Sequence, residues 1–339
     1  MAIYGKALTS ASGTGGAGGR IKVNVDTGAV VTATKGSETV TGTSVDGSVT
    51  IKVRSDGEWT LSATKDGMTT PESKVVSVSP EVTLVFADPT LNNNTWAQIK
   101  GVSDKSQGAN IWAVGDRKSV VLNGTVGYGS TARTFNNQEY WVYIIGFDHN
   151  SDKEGKGIAF QGFKTAQTGG IDIAVATTNY GSTGSGMVMN GSNTNVGGWN
   201  GSWAYTTCMG QWKNCFPSEL QAVIRTTTLY TDNTGNSSTS ASAVTANSNE
   251  VYYLAEYEVF GSNTYANTNE PAQQAQYAYY QAGNSTVKYR SDKTSTAAYW
   301  WLRSPDRSDS IDFCIVLSNG SAYNTSANYS YGSAPAFKV

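Results

Sequence analysis

The sequence holds a single histidine, His149, inside the polar string Asp148-His149-Asn150-Ser151-Asp152. An imidazole does chemistry only with a partner, either a nucleophile to deprotonate or further ligands around a metal. No such partner stands at a recognisable spacing, so the string reads as the polar tip of a hairpin. Asp148, Asp152 and Glu154 could hold a hard cation, but Lys153 and Lys156 are interleaved and the Asp-Gly spacing of a calcium loop is absent. That segment reads as a solvated loop. Gly181-Ser-Thr-Gly-Ser-Gly186 is glycine-rich enough to wrap a phosphate, yet it lacks the Lys-Ser/Thr ending of a P-loop and is expected to be a mobile loop. Asp306, Asp309 and Asp312 offer carboxylates without a glycine turn or histidine to complete a cage. Cys208, Cys215 and Cys314 cannot all pair and lack a zinc-site spacing, so they read as buried thiols. The sequence therefore predicts no catalytic residue, no metal and no cofactor. An enzyme acting on a peptide or glycan would have one histidine and no acid pair to work with, and the chain is expected not to be an enzyme.

Composition narrows the partners. With 24 Lys+Arg against 26 Asp+Glu, the net charge of -2 gives no field to gather the phosphates of a nucleic acid. No run approaches the roughly 18 to 20 apolar residues of a membrane span, and no membrane insertion is expected. Residues 1–19 carry one lysine, no apolar core segment and a Gly/Ser/Ala-rich end, so they read as a flexible connector rather than an export signal. Asn-x-Ser/Thr triplets, such as Asn123-Gly-Thr125, read as chance in so Asn/Ser/Thr-rich a chain. The 19 tyrosines and 9 tryptophans fit a compact β-rich body or an adhesive surface.

The elements that must position any site fall into two groups. Between residues 20 and 90, β-branched segments alternate with turns: Ile21–Val25, Val30–Thr34, Val49–Val53, Trp59–Ala63, Lys74–Val78 and Val82–Phe86. Asp26-Thr27-Gly28, Asp46-Gly47, Asp56-Gly57 and Asp66-Gly67 supply residues that tolerate positive φ. This predicts a small all-β sandwich, Ig-like or similar to carboxypeptidase regulatory-like spacer modules, which the stretch Gly57 to Thr70 resembles. After Asp88-Pro89 the alternation ends at Asn92-Asn93-Asn94, and a second domain is expected over 91–339. There Trp112–Asp116 and Trp141–Phe147 read as strands, Pro217–Arg225 and Pro271–Gln281 as helices, and Val251–Phe260 as a buried strand.

The last forty residues carry the most information. Trp300-Trp301-Leu302-Arg303-Ser304-Pro305 and Gly332 to Val339 are apolar anchors around a polar window. Of the 26 residues from Asp306 to Tyr331, 18 are Asn, Asp, Ser, Tyr, Thr or Ala, the types that binding loops favour. Lys, Glu, Gln, Met and Trp are missing from this window.

WWLRSP (300–305), FC-x-V (313–316), SNG (318–320) and PAF-x-V (335–339) resemble the variable proteins of diversity-generating retroelements. WAVGD (112–116), MNGSN (189–193), GGW (197–199), FPSEL (216–220) and EVFG (258–261) are similar to the same group. The resemblance covers about residues 95 to 339. It implies an α+β fold, a C-type lectin-like domain of the formylglycine-generating-enzyme subtype, with a variable region at about 300–339. In that family adenines of Asn codons are substituted, and changes confined to the first two codon positions exclude the five missing residues. The resemblance implies a diversified ligand-binding surface of Asp306, Arg307, Ser308, Asp309, Ile311, Asp312, Ile315, Leu317, Ser321, Tyr323, Asn324, Thr325, Ser326, Asn328, Tyr329 and Tyr331. Trp300, Trp301, Phe313, Cys314, Val316 and Phe337 would be scaffold. The related enzymes depend on paired cysteines, whereas only Cys314 lies in this region, so enzyme activity is not implied. The expected function is that of a receptor-binding protein of a phage tail fibre, recognising a bacterial cell-surface protein or glycan. The alternative is a variable adhesin displayed on the bacterial surface. The implied localisation is the virion, with other tail proteins as partners through the N-terminal region and a homotrimer as the favoured assembly.

Overall fold

The computed structural model describes residues 19–53, 55, 57–66, 68, 69, 74–77, 81–84 and 86–339. The connector expected over 1–19 lies, apart from Gly19, outside the described residues. The fold is mixed α+β and forms two compact units, Met1–Trp112 and Ala113–Val339.

In the first unit, β1 (Arg20–Asn24), β2 (Val30–Lys35), β3 (Glu38–Thr43), β4 (Ser48–Lys52), β5 (Glu58–Lys65), β6 (Met68–Thr69), β7 (Lys74–Ser77) and β8 (Glu81–Thr83) build two sheets. One has the order β4-β1-β8; the other is β3-β2-β5-β6, with β7 also on β5. Alternation in the sequence becomes alternation in burial: Ile21, Val23, Val31, Ala33, Ile51, Trp59 and Leu61 share one apolar core. Val45 bridges Ser48 across a two-residue turn, where Asp46 and Gly47 both take positive φ (51° and 80°), as a tight hairpin requires. The expected boundary lay near residue 90, but this unit runs on to Trp112 and takes α1 (Trp96–Asp104) and α2 (Gly108–Ile111). Thr95 and Gln98 cap α1 reciprocally.

The second unit contains β9 (Arg117–Val126), β10 (Arg133–Phe147), α3 (Ser151–Glu154), β11 (Ile158–Lys164), β12 (Ile173–Ala174), α4 (Gly198–Gly201), α5 (Met209–Cys215), α6 (Ser218–Gln221), β13 (Thr227–Asp232), β14 (Val244–Asn249), β15 (Val251–Tyr252), α7 (Glu256–Phe260), α8 (Ala278–Gln281), β16 (Lys288–Arg290), β17 (Lys293–Ala298), β18 (Trp300–Pro305), β19 (Asp312–Val316), β20 (Ala322–Ser326) and β21 (Ala336–Lys338). Its main sheet has the order β15-β21-β11-β10-β9. Thus the PAF-x-V segment is an interior strand, paired with β11 on one side and β15 on the other, and Phe337 and Val339 are fully buried. The window lies on a separate sheet of order β18-β19-β20. Among the described residues, no helix is long and apolar enough to cross a membrane.

Several local expectations are corrected. Trp112–Asp116 is a turn: Ala113 N–H donates to the Asp116 carboxylate at 2.8 Å and Gly115 has φ 96°. The helix expected over 217–225 is confined to α6, and that over 271–281 to a 3-10 turn at Glu270–Ala272 plus α8. Val251–Phe260 divides into β15 and α7, because the Glu258 carboxylate accepts the Ala255 N–H at 3.0 Å and opens a helix there.

Candidate ligand-binding surface

The window is framed by side chains that cannot leave the core. Trp300, Trp301, Phe313, Cys314, Val316 and Phe337 are all fully buried. The indole N–H of Trp301 donates to the Met187 carbonyl at 2.7 Å and that of Trp300 to the Thr286 carbonyl at 3.0 Å, so neither ring leaves a buried donor unpaired. Strand β19 pairs with β20 in the register Asp312↔Ser326 to Val316↔Ala322, which aligns the side chains between these anchors.

Two of the expected surface residues are not on the surface. Ile315 is 1% exposed, because β19 is enclosed on both faces and Ile315 lies between Trp301 and Tyr323 in the sheet. Asp306 is likewise 1% exposed, and its carboxylate serves the loop itself, accepting from Ser308 N–H (2.5 Å), Ser308 Oγ (2.6 Å) and Asn324 Nδ2. The remaining positions reach solvent. Ser308, Ile311, Ser321 and Tyr323 are exposed, while Arg307, Asp309, Asp312, Leu317, Asn324, Thr325, Ser326, Asn328, Tyr329 and Tyr331 are half-buried.

Residues outside the window hold it in place, and the sequence reading missed them. Asn195, fully buried, donates its amide to the carbonyls of Asp306 (3.3 Å), Asp309 (3.1 Å) and Asp312 (2.9 Å), while its Oδ1 accepts the Asn236 N–H at 2.8 Å. Glu256, also buried, accepts the backbone N–H groups of Thr264, Tyr265 and Ala266 (2.7 to 3.3 Å). That fixes Tyr265, whose ring packs on Tyr323 at 5.5 Å, and Arg307 returns a hydrogen bond to the Ala266 carbonyl at 3.1 Å. The run Gly181–Gly186, expected as a mobile loop, is laced to the window instead. Gly181 and Gly184 donate to the carbonyls of Ser330 and Asn328, and Ser330 donates to that of Ser182. A side chain at Gly186 would meet Ser330 and Thr177, so only glycine allows this close approach.

Burial dominates the electrostatics of the titratable groups around the window. Burial pushes the Cys314 thiol well up, with the nearby Glu256 carboxylate adding to the effect, so it is no nucleophile at neutral pH. Cys208 and Cys215 are free, buried thiols, pushed by burial to about 12 and about 11. Partial burial, followed by the charge of Asp309, raises the Asp312 carboxyl to about 6.

The histidine segment needs the largest correction. His149 and Glu154 are buried, at 8% and 6% exposed, and are neither a hairpin tip nor a solvated loop. The His149 ring stacks on Tyr277 at 3.6 Å. His149, Glu154 and Glu258 bring ligand atoms within 4.8 Å of one another, a donor set able to hold a metal. Both carboxylates, however, already have cations. Lys338 Nζ lies 2.8 Å from Glu154, and Arg303 grips Glu258 with two bonds of 2.5 and 2.6 Å. A dication would add charge to a balanced cluster, so the arrangement acts as a clamp on β21 and β18.

No curated protein and no solved structure matches the chain. Residues 175–339 match a family described as a domain of unknown function, DUF6273, a match that takes in the whole window, its anchors and Asn195, Glu256 and Arg303.

Proposed function

We propose that the chain is a diversified ligand-binding protein, in which a C-type lectin-like domain of the formylglycine-generating-enzyme subtype presents a variable face over 306–331. The proposed setting is the tip of a phage tail fibre, and the proposed ligand a molecule of the bacterial surface. The observation that carries this reading is the division of labour in the window. Its anchors are fully buried, whereas all but Asp306 and Ile315 of the expected variable positions reach solvent. Change at such positions alters specificity at small cost in stability. The clamps on the window come from Asn195 and Glu256, outside the positions that would vary.

The first test is genetic: sequencing the gene's 3′ end across isolates, with its neighbourhood searched for a reverse transcriptase and a near-repeat of that end. Substitutions concentrated at the solvent-reaching positions are expected, and variation spread evenly over 113–339 overturns the reading. The second test is binding of the full chain to host cells. Weak single faces gain from multivalency, by about a hundredfold or more, and by analogy with phage fibres light scattering is expected to give a homotrimer. Binding is expected to survive chelation, since Asp306 is engaged within its own loop.

A further inference from the structure

Two tyrosines of the window meet two tyrosines from elsewhere in the chain. The Tyr331 ring centre lies 5.2 Å from that of Tyr299, 5.5 Å from Tyr180 and 5.6 Å from Tyr329, to which it is nearly parallel at 10°. Trp301, fully buried, supports Tyr331 from the core at 5.8 Å. All four tyrosines are half-buried, so each ring is fixed by its neighbours and keeps an edge or face in solvent. Tyr180 is held twice: its hydroxyl oxygen accepts the Tyr299 N–H at 2.6 Å, and the Arg290 guanidinium lies 4.3 Å over its ring. Arg290 in turn makes a two-pronged pair with Asp292, at 3.0 and 2.6 Å. Burial keeps the phenol protons of Tyr180 and Tyr331 in place, Tyr180 at about 12, and Arg290 and Asp292 cancel each other's charge. The patch therefore offers aromatic surface, neutral hydroxyls and one balanced ion pair.

We propose that this patch is a carbohydrate subsite, on which a neutral pyranose stacks its C–H face while Arg290 and Asp292 hydrogen-bond adjacent hydroxyls. The proposal rests on the ligand-binding reading of the same surface and narrows it to a class of ligand. An aromatic face is electron-rich and attracts the weakly positive C–H groups of a sugar ring. A guanidinium donates and a carboxylate accepts, which suits vicinal hydroxyls that do both. A nucleic acid would call for net positive charge, which the paired Arg290 and Asp292 do not supply. Because the four rings are packed in advance, little rotamer freedom is lost on binding. Tyr180, Tyr299, Arg290 and Asp292 lie outside the window, so the sugar-stacking half of the subsite is constant, and changes at positions 329 and 331 adjust which sugar fits.

The test is saturation-transfer NMR on the full chain with the methyl glycosides of glucose, galactose and mannose, run beside a whole-cell binding assay. Transfer to the ring C–H protons of at least one glycoside is expected, weakened about tenfold or more by Tyr329→Ala and by Tyr180→Ala. Val121→Ala, at an exposed position of β9 outside both the window and the patch, is expected to leave it unchanged. Tyr329→Ala keeps the test decisive if Tyr180→Ala misfolds, since Tyr180 supports Tyr299. No transfer to any of the three glycosides, or transfer indifferent to both patch variants, overturns the subsite. Cell binding without glycoside binding would remove the carbohydrate assignment and leave the ligand-binding reading intact. Glycoside binding through the patch without cell binding would do the reverse.

Discussion

Asn195 donates its side-chain amide to the main-chain carbonyl of Asp312 at 2.9 Å across 117 residues of sequence, and the same amide reaches Asp306 and Asp309. One buried side chain thus ties down both ends and the middle of the loop that precedes β19. Within that loop its amide bonds to main-chain carbonyls only, so the tie is indifferent to the side chains that the loop carries.

Asn195→Ala leaves those carbonyls and the Asn236 N–H without this partner. A loss of about 1 to 3 kcal/mol is expected. Hydrogen exchange in the 306–312 amides should rise, read against chemical denaturation of the whole chain. Unchanged exchange would mean that the loop holds itself.

Anchors and surface should part company under substitution. Trp301→Ala removes a fully buried ring and is expected to cost about 3 to 5 kcal/mol. Tyr323, 48% exposed, should cost less than about 0.5 kcal/mol as Tyr323→Ala and lower ligand binding instead. Thermal melts of the two variants, side by side, decide this.

Much of the framework could be read from the sequence, and what could not follows a physical pattern. β-branched runs punctuated by Asp-Gly turns marked the sandwich strands, and Trp300, Trp301 and Phe337 announced themselves by size beside a polar window. Charged residues misled where their partners were distant. Glu256 and Glu258 made Val251–Phe260 look like an imperfect strand, but Glu258 pairs with Arg303, 45 residues on. His149 and Glu154 sit in a locally polar string, and what buries them is Tyr277 and Lys338, from far along the chain. Gly181–Gly186 has loop composition, and only the facing carbonyls at 328 and 330 reveal a ladder. Ile315 and Asp306 were placed outside by their position in the window, though a strand enclosed on both faces and a loop that uses its own carboxylate put them inside.

The Glu258–Arg303 pair is itself open to test. Both side chains are fully buried; burial pushes the Glu258 carboxyl up, but Arg303, together with His149 and the Ala255 N–H, holds it below its usual range. Glu258→Gln strands the guanidinium and is expected to cost about 3 to 5 kcal/mol. The double variant Glu258→Leu, Arg303→Met should recover much of that loss in urea titrations.

Glu270 sets an expected pH dependence. Burial raises its carboxyl from 4.5 to about 7, against the hydrogen bonds from Asp232 N–H and Ser304. A folded pKa above the unfolded one means a contribution to stability that is full below pH 4.5 and lost as the pH rises through 7. Glu270→Gln keeps an acceptor for Asp232 and cannot ionise, so wild-type stability minus variant stability should fall across that window. A difference independent of pH, in melts at several pH values, would remove Glu270 as the titrating group.

The position of β21 has a bearing on how errors are filtered. Ala336–Lys338 forms an interior strand of the main sheet and follows the window in the chain, so the ribosome must read through every window codon in frame before the sheet can close. A slipped reading frame within 306–331 garbles the strand that both β11 and β15 need. Substitutions at the solvent-reaching window positions leave the sequence of β21 intact, whereas a shifted frame replaces it.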